Sequence, residues 1–216
     1  MKMLNVPLTP SFAEEKGFEA QGYRLIAGID EVGCGALAGP LVAAAVILPG
    51  RMRGRWTKKV NDSKLVPPAT RKVLSQRIQS TAISVGIGTV PHHVVDSQGL
   101  TKARRLAMQL AVEHLSTSPE CLLIDHLSLP DIRLPQKALI KGDRRCFSIA
   151  CASIVAKVAR DRLMEELDES YPGYGLAKHK GYGTREHLAC LHRLGPCPIH
   201  RQSFEPVKRS VRNEQA

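Results

Sequence analysis

The sequence predicts an α/β domain in which a mixed β-sheet is flanked by helices. Short apolar runs, such as residues 41–48, are bounded by glycine, proline or acidic residues, as strands buried in a sheet are. Longer segments, such as residues 101–115, instead repeat apolar residues at helical spacing. Strands and helices that alternate along a chain are typical of this fold class.

Strands dominate the first half of the chain. Apolar or alternating runs predict three of them, and a Pro-Pro step, which a first helical turn accepts, opens a helix. A basic segment that carries the single tryptophan is expected to be a loop. The predicted elements are strands at 24–29, 41–48 and 83–90, helices at 12–19 and 69–79, and a basic loop at 51–59.

Helices dominate the second half. Residues 121–124 form a short apolar strand that ends at Asp125, and Thr184 supplies the N-cap of a late helix. The segment after Pro206 is polar and charged and is expected to fray. The other predicted elements are helices at 101–115 and 148–169 and a loop rich in Gly, Lys and Tyr at 171–184.

Length, charge and cysteine content narrow the classes of function. A chain of 216 residues can bury the core of one domain, and no apolar run approaches the roughly 20 residues of a membrane span. Lys and Arg exceed Asp and Glu by 11, which favours a polyanionic partner such as nucleic acid. Six scattered cysteines and the lack of a secretory pattern indicate a reduced, cytoplasmic protein, which we expect to be monomeric.

A pair of adjacent carboxylates is the strongest functional signal. Asp30 and Glu31 follow a short apolar run and precede a glycine turn. Burying ionised carboxylates costs several kcal/mol unless a cation or hydrogen bonds compensate. Asp125 ends a strand and Asp143 precedes the long helix, so four hard oxygen ligands suit Mg²⁺ or Mn²⁺ and phosphodiester hydrolysis. Taken singly, Asp125 could also be a turn residue and Asp143 a helix cap.

Three further segments are candidates for contact with nucleic acid. The backbone amides of a glycine turn can bind phosphate, a Ser-Lys pair offers a hydroxyl and an ammonium, and a late loop mixes basic and aromatic groups. A plain tight turn and ordinary polar loops are the alternatives. The candidate residues are Gly33, Cys34, Gly35, Ser63, Lys64, Lys180 and Tyr182.

A cysteine–histidine set near the end of the chain has some likeness to a zinc site. The spacing of its first two members is shorter than in common zinc fingers, so a metal there is the weaker interpretation. The set is Cys190, His192, Cys197 and His200.

Motifs spread over most of the chain resemble the ribonuclease HII family, the type 2 ribonucleases H. The resemblance covers about residues 24–207, and the motifs occur in the order of the family. The matching stretches are Ala27-Gly28-Ile29-Asp30-Glu31-x-Gly33-x-Gly35-x-Leu37-Ala38-Gly39-Pro40, Asp62-Ser63-Lys64-Leu65, Lys141-Gly142-Asp143, residues 148–161, His179-Lys180-Gly181-Tyr182-Gly183-Thr184 and Pro198-Ile199-His200-Arg201-x-Ser203-Phe204.

The resemblance implies a ribonuclease H-like mixed sheet with a C-terminal helical part that begins at about residue 165. The catalytic domain would span residues 23–207, between a loose leader at 1–22 and a polar tail at 208–216. The implied activity is endonucleolytic cleavage of RNA in RNA–DNA hybrids and at single ribonucleotides in duplex DNA, leaving 3′-hydroxyl and 5′-phosphate ends.

The resemblance also implies roles for particular residues. The loop at 33–35 would read the ribose 2′-hydroxyl through its backbone, and Tyr182 would stack on the sugar beside the ribonucleotide. Mn²⁺ or Mg²⁺ would be the cofactor. The implied catalytic and metal-binding residues are Asp30, Glu31, Asp125 and Asp143.

Two positions depart from the family pattern. Cys34 stands where arginine is usual, and His126 stands where glycine is usual. A neutral thiol binds phosphate less well than a guanidinium, so we expect Cys34→Arg to raise cleavage about tenfold or more. His126 would crowd the metal site or place an imidazole beside it. The departures keep open the alternative of a hybrid-binding protein with weakened catalysis. A basic repair nuclease without ribose preference is a separate, third alternative.

Overall fold

A single mixed sheet organises the protein. The computed structural model describes residues 9–50, 52 and 54–213, with side chains described as far as residue 210. Five strands lie in these residues: β1 (Ile26–Val32), β2 (Leu41–Ile47), β3 (Ser84–Val90), β4 (Cys121–Asp125) and β5 (Gln136–Leu139). Their spatial order is β3-β2-β1-β4-β5, with antiparallel pairing from β1 to β3 and parallel pairing from β1 through β4 to β5. The predicted α/β class and mixed sheet are confirmed.

Helices cover both faces of this sheet. Two short 3-10 turns, Arg55–Lys59 and Gly142–Arg144, accompany them. The helices of the described residues are α1 (Ala13–Glu19), α2 (Pro68–Thr81), α3 (His92–Gln98), α4 (Leu100–Glu113), α5 (Phe147–Ser170), α6 (Leu176–His179), α7 (Arg185–Leu194) and α8 (Glu205–Asn213). None of them combines the length and the apolar composition that a membrane span requires.

The two faces of the central strands have different partners. All seven residues of β2 are buried, and successive side chains of a strand point to opposite faces. Ala43 and Ala45 pack with Ala107 of α4, whereas Ala44 packs with Ile154 of α5. Because β1 pairs in register with β2, its consecutive residues are likewise divided between α4 and α5.

Helix α5 crosses β1 at very close range. A Cβ atom on Gly28 would overlap the backbone of Ser148, so only glycine permits this approach. The crossing brings the next turn of α5, which carries Ser153, up to the end of β1. The long helix therefore fixes the environment of the residues that follow Gly28.

Most predicted elements are present, and the differences have local causes. β1 continues through Asp30 and Glu31 to Val32, because β2 pairs with it over this whole length. β5 and α3 are absent from the sequence prediction: β5 has four residues and an exposed centre, and α3 has seven. The predicted loop at 171–184 contains the single turn α6, and the segment after Pro206, predicted to fray, is helical through Asn213.

The N-terminal segment is ordered against the sheet from α1 onward. Phe18 is buried with Ile26 and Cys121, and Glu15 accepts a hydrogen bond from the Ser148 amide at 2.7 Å. Residues 1–8 of the expected leader, residues 51 and 53 of the basic loop and residues 214–216 of the expected tail lie outside the described part of the chain.

Candidate active site

The four predicted carboxylates meet at the carboxyl ends of the neighbouring strands β1 and β4. Asp30 and Glu31 lie near the end of β1, and Asp125 is the last residue of β4. Ile29 pairs with Ile124, so the parallel register places Asp125 beside Asp30. The turn that carries Asp143 is tied to Asp125, whose Oδ1 accepts the Gly142 amide at 2.6 Å. Strand pairing and this one hydrogen bond bring together acids that lie far apart in the sequence.

Alternation along β1 separates the partners of the adjacent pair. Asp30 faces α5 and the hydroxyl of Ser153, whereas Glu31 faces α4. Glu31 Oε1 lies 2.6 Å from Nη2 of Arg104, a residue that the sequence interpretation did not select. An arginine within an otherwise amphipathic helix gives no sign in the sequence that it points toward an acid on a strand.

The acid cluster carries negative charge that its neighbours compensate only in part. Burial raises the pKa of Asp30 well above its usual range, and Glu31, Asp125 and Asp143 raise it further. Burial also raises the pKa of Glu31 against the opposing effect of Arg104. The pKa of Asp125 is raised by burial, although the Gly142 amide opposes this, and burial together with Asp62 raises the pKa of Asp143 to about 6. Arg104 and Lys64 offset only part of this charge, so further cations are the partners that such a cluster lacks.

The donor set fits a hard divalent cation. All four groups supply oxygen, and Glu31 Oε2 is buried without a hydrogen-bond partner among the described residues. Within that same part of the chain, no three carboxylate, imidazole or thiol groups form a ready-made coordination shell. The site therefore has the ligand chemistry for Mg²⁺ or Mn²⁺, and three of its carboxylates, those of Asp30, Glu31 and Asp125, now contact an amide or a guanidinium.

The Ser63–Lys64 segment borders the acids. Arg144 donates two hydrogen bonds to Asp62 Oδ2, from Nε at 3.1 Å and from Nη2 at 2.9 Å. The Ser153 hydroxyl, which faces Asp30, lies 3.0 Å from Ser63 Oγ. Lys64 is exposed, and its charge lowers the pKa of Asp125 and of Asp143. Both predicted contact residues of this segment thus lie beside the carboxylates.

The glycine turn lies on the other side of the acids. Gly33 has a φ of +98°, and a Cβ there would overlap the Arg160 guanidinium, so this position requires glycine. Ala36, just after Gly35, forms an antiparallel bridge with Tyr182. The structure therefore brings the turn and the aromatic side chain together, although they are distant in the sequence.

Two buried arginines shape this region and were missed in the sequence as functional candidates. Arg160 donates to the carbonyls of Pro40 at 2.9 Å, Lys180 at 2.9 Å and Ala38 at 3.2 Å, and its guanidinium lies 5.4 Å from the ring centre of Tyr182. Arg160 and Arg201 both lie in stretches that match the family motifs, and this was the sequence signal that could have identified them.

The second of these arginines, Arg201, donates hydrogen bonds to the backbone of the glycine turn and of the residues that follow it. It donates to the carbonyl of Cys34 at 3.0 Å and to that of Gly39 at 3.1 Å. Both arginines are fully buried, and both hold backbone rather than carboxylates. Their geometry assigns them to positioning of the glycine turn.

Lys180 is directed away from the acids. Its Nζ lies 2.7 Å from Glu165 of α5, and its backbone has a φ of +53°. Lys180 lies two residues before Tyr182 in the chain, but its ammonium is paired with Glu165.

A chain of histidines supports the segment around Tyr182. His187 Nδ1 lies 3.0 Å from the Tyr182 carbonyl, His187 Nε2 lies 3.1 Å from His200 Nε2, and His200 Nδ1 lies 3.1 Å from Cys197 Sγ. Two members of the zinc-like set, Cys197 and His200, therefore meet, whereas His192 is exposed on α7. The contacts join these rings to backbone and to each other.

The two departures from the family pattern have distinct environments. The Cys34 thiol donates to Glu31 Oε1 at 3.2 Å, and burial, followed by the charge of Glu31, raises its pKa to about 12. Cys34 is therefore a neutral thiol at physiological pH. His126 is exposed with a φ of +63°, a conformation that glycine adopts more readily, and its charge lowers the pKa of Asp125.

Comparison with known proteins places this chain in a family. Residues 27–207 match the ribonuclease HII family. A ribonuclease HII from Dehalococcoides mccartyi is 56% identical over 201 residues, covering 93% of this chain and 95% of that protein. Another, from Roseiflexus castenholzii, is 52% identical over 200 residues, covering 92% of this chain and 89% of that protein.

Solved structures share the fold. The ribonuclease H2 of Pyrococcus horikoshii superposes with a TM-score of 0.74 at 22% identity, covering 88% of this chain and 98% of that one. The RNase HII of Archaeoglobus fulgidus, solved in complex with PCNA, gives a TM-score of 0.70 at 27% identity and covers 84% and 95%. Bst-RNase HIII, solved in complex with Mn²⁺, gives 0.72 at 20% identity and covers 88% and 70%. The family match and the identities over nearly the whole chain show that this protein belongs to the ribonuclease HII family.

Proposed function

We propose that this type 2 ribonuclease H cleaves RNA in RNA–DNA hybrids and at single ribonucleotides in duplex DNA, by hydrolysis that depends on divalent cations. The observation that carries the proposal is the convergence of four under-compensated carboxylates beside a glycine turn. The excess of 11 basic residues supplies the attraction to a polyanionic duplex.

Asp30, Glu31, Asp125 and Asp143 would hold the cations, for which Mn²⁺ and Mg²⁺ are both suitable. Divalent cations at such a site activate water and stabilise the leaving oxygen of a phosphodiester. The chain itself orients the ligands: β1 and β4 fix Asp30 and Asp125, and the Gly142 amide holds the Asp125 carboxylate. Lys64, exposed beside the acids, would contact a substrate phosphate, with the Ser63 hydroxyl next to it.

Selection of ribose would come from the glycine turn and Tyr182. Arg160 packs against Gly33 and Arg201 donates to the Cys34 carbonyl, so the backbone groups of the turn keep a fixed position toward a 2′-hydroxyl. Tyr182 forms a bridge with this turn, and its partly exposed ring is available for stacking on a sugar or base. This arrangement predicts discrimination against a duplex that contains only deoxyribose.

The direct test compares three labelled duplexes: one with a single ribonucleotide, an RNA–DNA hybrid, and an all-DNA duplex of the same sequence. We expect Mg²⁺ or Mn²⁺ to support cleavage of the first two, EDTA to stop it, and the new ends to be 3′-hydroxyl and 5′-phosphate. Binding without cleavage would instead support a hybrid-binding protein. Equal cleavage of the all-DNA duplex would support a repair nuclease without ribose preference.

The proposal includes a monomeric, cytoplasmic enzyme. All six cysteines are free, as expected in a reducing compartment, and the proposed site is formed within one chain. Light scattering of the purified protein, alone and with duplex, tests the oligomeric state, and localisation of the tagged protein in its host tests the compartment.

A further inference from the structure

Arg104 is a cationic side chain placed at the edge of the acid cluster. It lies in the first turns of α4, one helical step before the buried Met108, on the side of the helix that faces the sheet. Its Nη2 lies 2.6 Å from Glu31 Oε1, and 17% of its side chain is exposed. The residue therefore reaches the site while keeping an opening toward solvent.

The same carboxylate oxygen joins Arg104 to the glycine turn. Glu31 Oε1 also accepts the thiol of Cys34 at 3.2 Å. The Arg104 guanidinium and the Cys34 side chain consequently contact the same atom. A group that binds beside the turn would meet the guanidinium as well.

The contact between Arg104 and Glu31 leaves part of each group unused. An arginine and a carboxylate at their strongest form two parallel hydrogen bonds. Here only Oε1 is engaged, and both Glu31 Oε2 and Arg104 Nε are without a hydrogen-bond partner among the described residues. Such a pair can separate when better partners arrive for each member.

We propose that Arg104 is a substrate-contacting residue that leaves Glu31 for a backbone phosphate beside the glycine turn when a divalent cation engages Glu31. This inference rests on the proposed function. A cation at Glu31 repels the Arg104 guanidinium, and the adjacent phosphate attracts it. Both forces therefore favour movement of Arg104 from Glu31 to the phosphate. No covalent bond changes in this exchange.

Arg104 would then supply the charge that Cys34 lacks. The Cys34 side chain carries no positive charge in either protonation state and so cannot attract phosphate, and Lys180 is engaged with Glu165. A guanidinium can bind phosphate through two donors at once. This geometry revises the sequence-based expectation for Cys34→Arg: with Arg104 present, the gain should be small.

Binding measurements test the contact. The probe is the duplex with a single ribonucleotide, titrated in Ca²⁺ with product formation checked on gels. Arg104→Ala should weaken binding about 10- to 150-fold and reduce the slope of log affinity against log salt by about one. Arg104→Lys should recover part of this loss. The matched control Arg105→Ala, one position along the same helix, should stay within about twofold of the wild type.

A double-mutant comparison tests whether Arg104 replaces an arginine at position 34. Cys34→Arg should change binding less than about threefold in the wild type, but should restore most of the affinity lost in Arg104→Ala. An equal gain in both backgrounds would overturn the proposal. The proposal would also be overturned if Arg104→Ala had the same affinity and the same salt slope as Arg105→Ala.

A measurement without nucleic acid separates exchange at Glu31 from a purely structural ion pair. Thermal unfolding during a titration with Mn²⁺ alone should show that Arg104→Ala responds at a lower Mn²⁺ concentration than the wild type, because a competing cation has been removed. An unchanged midpoint would contradict the exchange. If the wild type neither binds nor cleaves, the proposed function fails; if it does both and the Arg104 variants match the control, only this inference fails.

Discussion

Two largely buried polar regions border the glycine turn and are built in contrasting ways. The carboxylate region consists of Asp30, Glu31, Asp125 and Asp143; the arginine–histidine region consists of Arg160, Arg201, His179, His187 and His200. In the first, burial raises the pKa of every member, and neighbouring carboxylates raise it further for Asp30, Glu31 and Asp143. In the second, the charged groups donate to backbone carbonyls and the rings contact backbone or each other.

The difference indicates what each region is for. Buried like charges oppose folding, so a cluster of them indicates a ligand that compensates the charge in the working state. A polar network whose donors reach backbone carbonyls instead holds a particular chain geometry. The carboxylate region should therefore govern chemistry, and the arginine–histidine region should govern the shape that presents the turn and Tyr182.

Removal of one carboxylate should give the largest effect and should separate activity from stability. Asp30→Asn should abolish turnover. The loss of activity should exceed the roughly 10- to 100-fold loss that follows mutation of a residue that only contacts a metal ligand. The metal-free protein should meanwhile gain stability, by about 2–4 °C in Tm for each kcal/mol of repulsion relieved. Cleavage assays and thermal unfolding in EDTA measure both, with the exposed Asp131→Asn as control. More than a few per cent residual activity would remove Asp30 from the catalytic set.

The opposite result is expected in the arginine–histidine region. Arg160→Ala should lower the free energy of unfolding by about 3–5 kcal/mol, because three carbonyls lose a buried charged donor. The control Arg162→Ala, on the same helix but 82% exposed, should change it by no more than about 0.5 kcal/mol. Urea unfolding of both variants measures the difference. Equal stability of the two would show that Arg160 does not hold the turn.

Tyr182 joins the two regions and should affect binding without affecting folding. Tyr182→Ala should weaken binding to the single-ribonucleotide duplex by about 1–3 kcal/mol if the ring stacks on nucleic acid. Tyr182→Phe keeps the ring and should bind like the wild type. Fluorescence anisotropy in Ca²⁺ gives the affinities, and Tm should stay within about 2 °C for both variants. Unchanged affinity in Tyr182→Ala would leave the ring with a packing role only.

Acid should destabilise the arginine–histidine region by a modest amount. Burial lowers the pKa of His200 to about 4, and His187, His92 and His179 lower it further against the opposing backbone contact of Cys197. His200 is therefore neutral when folded and becomes protonated on unfolding below about pH 6.5. The stability it contributes is present above that pH and is lost as pH falls toward 4, by about 1–3 kcal/mol.

Thermal unfolding between pH 4 and 7.5 measures this dependence of stability on pH. The carboxylate region should show a dependence of the opposite sign. His200→Gln should flatten the loss of stability at low pH. The pKa of Asp143 is raised to about 6, so in metal-free protein its contribution is greatest below its unfolded pKa and is lost as pH rises through 6. Asp143→Asn should flatten that second trend only. Identical pH profiles in both variants and the wild type would contradict the assignment.

Local patterns predicted most elements and the identity of the acids. A stretch such as residues 41–48 contains enough apolar residues to indicate a buried strand, and the match of residues 27–207 confirms the family inferred from the motifs. The four-residue β5 and the seven-residue α3 were not predicted, because the centre of β5 is exposed and α3 buries only Val95, so neither has a clear apolar pattern of its own. The polar segment after Pro206 is helical because Val207 is buried against Leu37 and Leu191.

The sequence by itself determined the α/β class, the family and the four carboxylates, because these depend on residue identity and local order. Only the tertiary structure decided which groups surround each acid. Strand alternation directs Asp30 toward α5 and Glu31 toward Arg104, and strand register sets Asp125 beside Asp30. Likewise, an arginine in a helix gives the same sequence signal whether it is exposed like Arg162 or fully buried like Arg160. Long-range packing assigns those environments, since each depends on segments far away in the chain.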